Sequence, residues 1–244
     1  MLACNDVSSS SDAFRKFDLN DRINRVSFIL FGVGMLLPWN AMLAAMDFFT
    51  QEFPSYEPSF SLLVAVSAPM FLVQAIVFFL LQNIPLQVKV TLMFAISTLV
   101  TFGLVLVPIC ITNESTAYWI VIMLSFLFGT AYAILQASLY GLAGPNAQLL
   151  NNLNLGIGIS GLSVNLLRIL VLATVESNTV GAQIFFYTTG AYLLVCTAFA
   201  YRFVKNYEID YNARSLVEYT ELISKFAKES TDNEEALTAT SFRG

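Results

Sequence analysis

Residues 26–49, VSFILFGVGMLLPWNAMLAAMDFF, decide how the rest of the sequence is interpreted. The segment is long enough to cross a bilayer, since about 20 mostly apolar residues in a helix span about 30 Å of hydrocarbon. It nevertheless contains Pro38 and Asn40, and Asp47 lies near its end. Proline removes a backbone donor and is expected to kink the helix, and Asn40 needs a hydrogen-bond partner that lipid does not supply. We therefore predict a membrane helix that faces protein or a water-filled cavity.

The composition of the whole chain is that of a multi-pass membrane protein. Of its 244 residues, 57% are hydrophobic and 12% are charged, whereas soluble domains carry about 25% charged residues. No basic patch indicates nucleic-acid binding, and the three cysteines are too widely spaced for a disulfide framework or a zinc site. The absence of histidine removes the commonest general base and metal ligand. We therefore expect no metal, no cofactor and no nucleic-acid partner.

Six apolar segments are separated by short polar or proline-containing loops. The predicted spans are residues 26–49, 60–81, 90–111, 117–142, 150–175 and 182–203. The predicted fold class is thus an all-α membrane protein with six transmembrane helices. Residues 1–25 and 204–244 are predicted to be cytosolic tails, and within the second tail residues 213–229 have the spacing of a surface helix.

The distribution of lysine and arginine predicts the orientation of these spans. The N-terminal tail carries four basic residues, Lys89 lies in the second loop, and all the others except Arg168 follow the sixth span or lie at its end. Because positive residues accumulate on the cytoplasmic side, we predict that both termini are cytosolic. We place this multi-pass protein in the plasma membrane in preference to an internal membrane.

Two patterns typical of enzymes occur in the fifth span, and both are rejected. Gly156-x-Gly158-x-x-Gly161 matches the dinucleotide fingerprint, but that motif needs a preceding strand and lies here inside an apolar span. The sequence GISG that ends at Gly161 looks like the serine motif of rhomboid proteases, which also use a histidine. We therefore predict that the protein is not an enzyme. We interpret the glycines as residues that let helix backbones approach closely.

The remaining polar residues in the spans predict contacts between helices. Asp47 and Arg168 both lie in the outer half of the bilayer by residue count, so we predict that they approach each other as an ion pair or through water. The alternatives are an Arg168 side chain that extends to the headgroups and a carboxylate already in water at the surface.

One face of the fourth span carries a polar and aromatic stripe, because Tyr132, Gln136 and Tyr140 repeat every four residues. The Gln136 amide can both donate and accept hydrogen bonds, which suits the edge of a nucleobase. The alternative is a glutamine that bonds between helices.

Three of these spans resemble helices of equilibrative nucleoside transporters. GVGMLLPWNAM in the first span resembles that family's first helix with its Pro-Trp-Asn triplet, and AILQASLYGLAG resembles its fourth. The three glycines followed by Leu-Leu-Arg-Ile resemble its fifth helix. The resemblance covers the six spans but not the tails. It implies a major-facilitator-like arrangement of eleven helices, in which these six form the N-terminal half bundle.

The resemblance also implies roles for single residues, with the ligand lying between the two halves of the transporter. The substrate-binding residues would be Leu36, Trp39, Asn40, Leu43 and Gln136, and the structural or gating residues would be Pro38, Asp47, Gly156, Gly161 and Arg168. Gln136 would meet the base, and Leu43 falls at a position linked to ligand preference. Tyr132 replaces a residue that is often small in the family.

The implied function is facilitated transport of nucleosides and nucleobases across a lipid bilayer. No coupling ion is expected, although Asp47 could carry a proton. The resemblance implies that the chain corresponds to an N-terminal half or a truncated form, which would pair with a second transporter half or with another copy as a homo-oligomer. The alternative is a non-transporting membrane protein that pairs with full-length transporters and regulates them.

Overall fold

The computed structural model describes residues 5–80, 84–175 and 177–204, with side chains except at 5–21, 75 and 77–80. Every regular element in these residues is an α-helix. The helices are α1 (Asn5–Ala44), α2 (Met46–Glu52), α3 (Pro58–Leu80), α4 (Leu86–Cys110), α5 (Glu114–Ala143), α6 (Ala147–Thr174) and α7 (Asn178–Val204).

Five helices are long and apolar enough to cross a membrane: α4, α5, α6, α7 and the part of α1 from Arg22 to Ala44. The chain is therefore an all-α membrane protein. In α3 the segment Pro58–Gln74 is apolar but shorter than a span. The sixth span and the major-facilitator-like arrangement thus stay predictions.

The first predicted span differs from the structure at both ends. The helix α1 begins at Asn5, inside the segment predicted to be a tail, and it continues through Pro38. The break comes instead at Ala45, whose φ of −97° and ψ of 18° separate α1 from the short helix α2. The Ala45 N–H still bonds the Ala41 carbonyl, but the Phe48 N–H bonds the Ala45 carbonyl in a tighter turn. The predicted helix at 213–229 lies outside the described residues.

Asparagine side chains set the start of two membrane helices. The Asn113 side chain accepts a hydrogen bond from the Thr116 N–H at 3.0 Å, and α5 begins at the following residue. The Asn146 side chain likewise accepts from the Gln148 N–H at 2.9 Å, directly after the Gly144–Pro145 helix stop. Such caps satisfy backbone donors that have no partner within the helix. They explain why α5 and α6 begin earlier than the apolar pattern alone predicted.

The helices pack in two groups, one around α1 and the other around α5. The helix α1 lies against α6 over much of its length, and α5 lies between α3 and α4. Gly129 permits the α3–α5 approach, because a Cβ atom there would lie 2.9 Å from Pro69 Cγ and 3.0 Å from the Val66 carbonyl carbon. The helix α7 joins α1, since the Tyr192 hydroxyl donates to the Leu30 carbonyl at 3.1 Å. These contacts place α1 between α6 and the α3–α5 pair.

Candidate functional site

A cavity of about 330 Å³ lies between α1, α3 and α5. Its walls are mainly apolar and aromatic, and they comprise Leu36, Trp39, Val66, Ser67, Met70, Phe128 and Tyr132. Residues one turn apart on a helix share a face, and each of the three helices contributes such a pair. Cavities that hold small ligands measure about 300–1,000 Å³ and combine apolar walls with a few polar groups. This cavity therefore suits a small, flat and largely apolar ligand.

Two of the residues predicted to bind substrate lie in the wall of this cavity. Leu36 and Trp39 line it from α1. Tyr132 also lines it and is almost fully buried, 6.2 Å between ring centroids from Phe128. Tyr132 therefore places a large side chain at a position where the resemblance to the transporter family implied a small one. Its ring reduces the volume of the cavity.

Gln136 lies one turn beyond Tyr132 on α5 and is not part of the cavity wall. The Gln74 Nε2 group of α3 donates a hydrogen bond to Gln136 Oε1 at 2.9 Å. The alternative drawn from the sequence, a glutamine that bonds between helices, is thus present in the structure. The Gln136 side chain is only half-buried.

Asn40 has the hydrogen-bond partner that its position in an apolar span required. Its Nδ2 group donates to the Ser160 hydroxyl oxygen of α6 at 3.1 Å, and Ser160 is buried. Asn40 therefore joins α1 to α6 beside the cavity. Leu43, one turn further along α1, is 40% exposed and does not line the cavity. A role for Leu43 in ligand binding stays a prediction.

Asp47 and Arg168 form the ion pair that the sequence predicted. The Arg168 Nη2 atom lies 3.1 Å from Asp47 Oδ2, with side-chain exposures of 39% for the arginine and 73% for the aspartate. Two further contacts join α2 to α7. Asn178 Nδ2 donates to Gln51 Oε1 at 3.2 Å, and the Thr179 hydroxyl lies 3.5 Å from Glu52 Oε1.

These three contacts join α2 to α6 and α7, and Phe48 and Phe49 of the same helix are fully buried. The sequence did not indicate the contacts of Gln51 and Glu52, because the first span was predicted to end at residue 49 and these two residues were assigned to the loop after it. A structural or gating role for the ion pair stays a prediction.

The three glycines of α6 have different surroundings. A Cβ atom on Gly156 would overlap the Ile29 carbonyl and lie 3.0 Å from Gly32 Cα of α1. By contrast, a Cβ atom on Gly158 would meet no described atom within 4 Å, and one on Gly161 would make an ordinary contact of 3.8 Å with Asn40 Nδ2. Among the described residues, close backbone approach therefore requires a glycine at Gly156 but not at Gly158 or Gly161. A structural or gating role for Gly156 and Gly161 stays a prediction.

Several residues of the site were not identified from the sequence. Val66, Ser67 and Met70 lie in an apolar helix without charged residues, where nothing distinguished them from lipid-facing neighbours. Gln74 is the one amide in that helix and could have directed attention to it. The role of Gly32 as the partner of Gly156 was likewise missed, because its contact with α6 depends on how the two helices cross.

Comparison with known proteins identifies the family. The family model described as "Nucleoside transporter" matches residues 120–242, about half of the chain. The chain belongs to the nucleoside transporter family. The matched region includes Tyr132, Gln136, Gly156 and Arg168, whereas the cavity residues of α1 and α3 precede it.

Curated relatives of this nucleoside transporter family member include plant proteins of low sequence identity. Equilibrative nucleotide transporter 7 of Arabidopsis thaliana is 26% identical over 66% of this chain and 39% of its own length. Equilibrative nucleotide transporter 8 is 27% identical over 72% of this chain and 47% of its own length. Equilibrative nucleotide transporter 1 is 28% identical over 71% and 41%, respectively. The chain thus spans less than half the length of these relatives in the alignments.

Proposed function

We propose that this protein takes part in the facilitated transport of nucleosides and nucleobases across a membrane. The observation that carries the proposal is the cavity between α1, α3 and α5, with aromatic walls and a volume of about 330 Å³. Two of the helices around the cavity, α1 and α5, are long and apolar enough to cross a membrane, and the chain belongs to the nucleoside transporter family. This position favours a ligand that is transported over one that is chemically changed.

In this proposal the base of the ligand lies against the rings of Trp39, Phe128 and Tyr132. Aromatic side chains bind flat rings through offset stacking and edge contacts, and tryptophan and tyrosine also offer a polar group. The Ser67 hydroxyl is a further polar group in the wall. Gln136, one turn away, forms hydrogen bonds with the edge of the base, and Asn40 holds α1 in place through Ser160.

We further propose that these helices supply one half of the transport pathway. In transporters of this type, two halves rock against each other around a site near the middle of the membrane. The exposed side of α6 carries Leu155, Leu162, Leu166 and Ile169, and it offers an apolar surface to lipid or to a second half. A second copy or a separate half would complete the site. In this proposal the protein lies in the plasma membrane, and both of its termini are cytosolic.

Uptake of radiolabelled adenosine and uridine tests this proposal in nucleoside-transport-deficient cells that express the 244 residues. We expect uptake that excess unlabelled nucleoside competes and that Gln136→Ala abolishes, whereas Gln148→Ala on the exposed start of α6 retains it. Uptake that nucleosides fail to compete would indicate another solute. Normal surface expression without uptake, together with altered uptake by a co-expressed full-length transporter, would support the regulatory alternative.

A further inference from the structure

We propose that Gln74 is a specificity-determining residue, which joins Gln136 to present one donor and one acceptor to the edge of a nucleobase. This inference rests on the proposed function, because it concerns the ligand of the same cavity. The resemblance to the transporter family implies no role for Gln74. The observation that points to this residue is its hydrogen bond with Gln136.

The position of the two glutamines is the first support. Gln74 Nε2 and Gln136 Oε1 lie 2.9 Å apart across the α3–α5 interface. Each glutamine follows a cavity-lining residue by one helical turn, Met70 on α3 and Tyr132 on α5. Residues four apart on a helix lie on the same face. The amide pair therefore lies one helical turn beyond the cavity wall on two of its three helices, α3 and α5.

The hydrogen bonding of the pair is the second support. A glutamine side chain offers one acceptor oxygen and two N–H donors. The single bond uses the oxygen of Gln136 and one N–H of Gln74. It leaves the Gln74 oxygen as an acceptor and the Gln136 amide as a donor, and the described part of the chain provides no other partner for either group. The bond also restricts the rotation of both amides, so the free donor and acceptor are held side by side.

The chemistry of a base edge matches this arrangement. Adenine carries an exocyclic amine that donates and a neighbouring ring nitrogen, N7, that accepts. The Gln74 oxygen can accept from the amine while the Gln136 amide donates to N7. A base that lacks one of these groups forms one hydrogen bond fewer with the amide pair, and one such bond contributes about 1 kcal/mol.

Ligand analogues test the inference without changing the protein. The purified full chain is reconstituted in nanodiscs, and binding of tritiated adenosine is competed with adenosine, purine riboside and 7-deazaadenosine. Purine riboside lacks the amine, and 7-deazaadenosine lacks the ring acceptor. We expect each analogue to bind about fivefold more weakly than adenosine, the size of one net hydrogen bond.

A variant of Gln74 tests whether this residue is the one that contacts the amine of the base. Gln74→Met keeps the length of the side chain and removes both polar groups, so we expect adenosine to bind about fivefold more weakly and purine riboside less than twofold more weakly. The matched control is Gln148→Met, on the exposed start of α6, which should leave both affinities unchanged. Thermal melting of each variant reports whether it is folded.

The outcomes separate this inference from the proposed function. If the wild-type protein binds adenosine, purine riboside and 7-deazaadenosine equally well, the role of Gln74 is refuted and the transport proposal stands. If Gln74→Met weakens adenosine and purine riboside to the same extent, Gln74 is structural and the inference is also refuted. If the wild-type protein binds no nucleoside at all, both proposals fail. Should Gln74→Met not fold, Gln74→Asn takes its place with the same expected loss of selectivity, and equal binding of adenosine and purine riboside by the wild-type protein still refutes the inference.

Discussion

Two neighbouring stretches of α1 pack in different ways. Towards α6, Gly32 and Gly156 bring the helix backbones into contact, so that a Cβ atom on Gly32 would lie 3.1 Å from Gly156 Cα. Towards α3 and α5, Leu36 and Trp39 hold the helices apart and a cavity remains. Small residues produce close helix packing in membranes, whereas bulky rings on several helices cannot fill all the space between them. The comparison indicates that the glycine contact fixes α1 against α6, while Leu36 and Trp39, further along the helix, are left to contact a ligand.

The largest expected effect comes from filling the close contact. Gly156→Leu would place a side chain against the Ile29 carbonyl and the Gly32 backbone, neither of which can move aside as a flexible side chain could. Overpacking costs about 3 kcal/mol or more where the backbone must shift. We expect the folded yield, measured by fluorescence-detected size-exclusion chromatography and thermal melting, to fall sharply.

Gly158→Leu is the matched control, because no described atom lies within 4 Å of the added Cβ position. It lies on the same helix and adds the same side chain. If both variants lose yield equally, the α1–α6 contact is not where the structure places it.

The next largest effect is expected at the cavity. Trp39→Ala removes a ring from its wall, and stacking of an aromatic residue on a base contributes about 1–3 kcal/mol. We expect adenosine affinity to fall at least about fivefold with little change in melting temperature. Trp119→Ala on α5, at a tryptophan that is 55% exposed and outside the cavity wall, should leave the affinity unchanged. Equal losses in the two variants would place the ligand elsewhere.

A smaller effect is expected at the Asp47–Arg168 ion pair. Both side chains are partly exposed, and ion pairs in such positions contribute about 1 kcal/mol or less. We expect Arg168→Glu to lower the melting temperature by a few degrees and to reduce uptake, since it places like charges together. The double variant Asp47→Arg with Arg168→Glu should recover most of both losses. A double variant as impaired as the sum of the single ones would show that the pair does not interact.

The smallest effect is expected at the link between Asn40 and Ser160. Hydrogen bonds between membrane helices contribute about 0.6 kcal/mol on average. Asn40→Ala and Ser160→Ala should each lower the free energy of unfolding slightly, and the double variant should lose no more than the larger of the two. Additive losses in this cycle would argue against the 3.1 Å bond.

The sequence predicted those features that depend on composition and on local polarity. The apolar spans, the need of Asn40 for a partner and the approach of Asp47 to Arg168 all follow from the cost of polar groups in lipid. The break at Ala45 was missed, because alanine favours helix and Pro38 was the expected disruption.

The cavity wall of α3 and the separate roles of the three glycines depend on how helices cross. Gly156 and Gly158 are the same residue type two positions apart, and only the position of α1 distinguishes them. Likewise, Ser67 and Met70 face a cavity because Gly129 lets α3 approach α5. Such contacts between residues far apart in sequence leave no local pattern.

The most direct test of the account is the protection of a cavity cysteine by nucleoside. In a protein whose Cys4, Cys110 and Cys196 are replaced by alanine, Ser67→Cys is labelled with a small thiol reagent with and without adenosine. Phe71→Cys, on the same helix but 79% exposed and outside the cavity wall, is the control. The account predicts that adenosine slows the labelling of Ser67→Cys and leaves that of Phe71→Cys unchanged. Labelling of Ser67→Cys that saturating adenosine does not alter would contradict it.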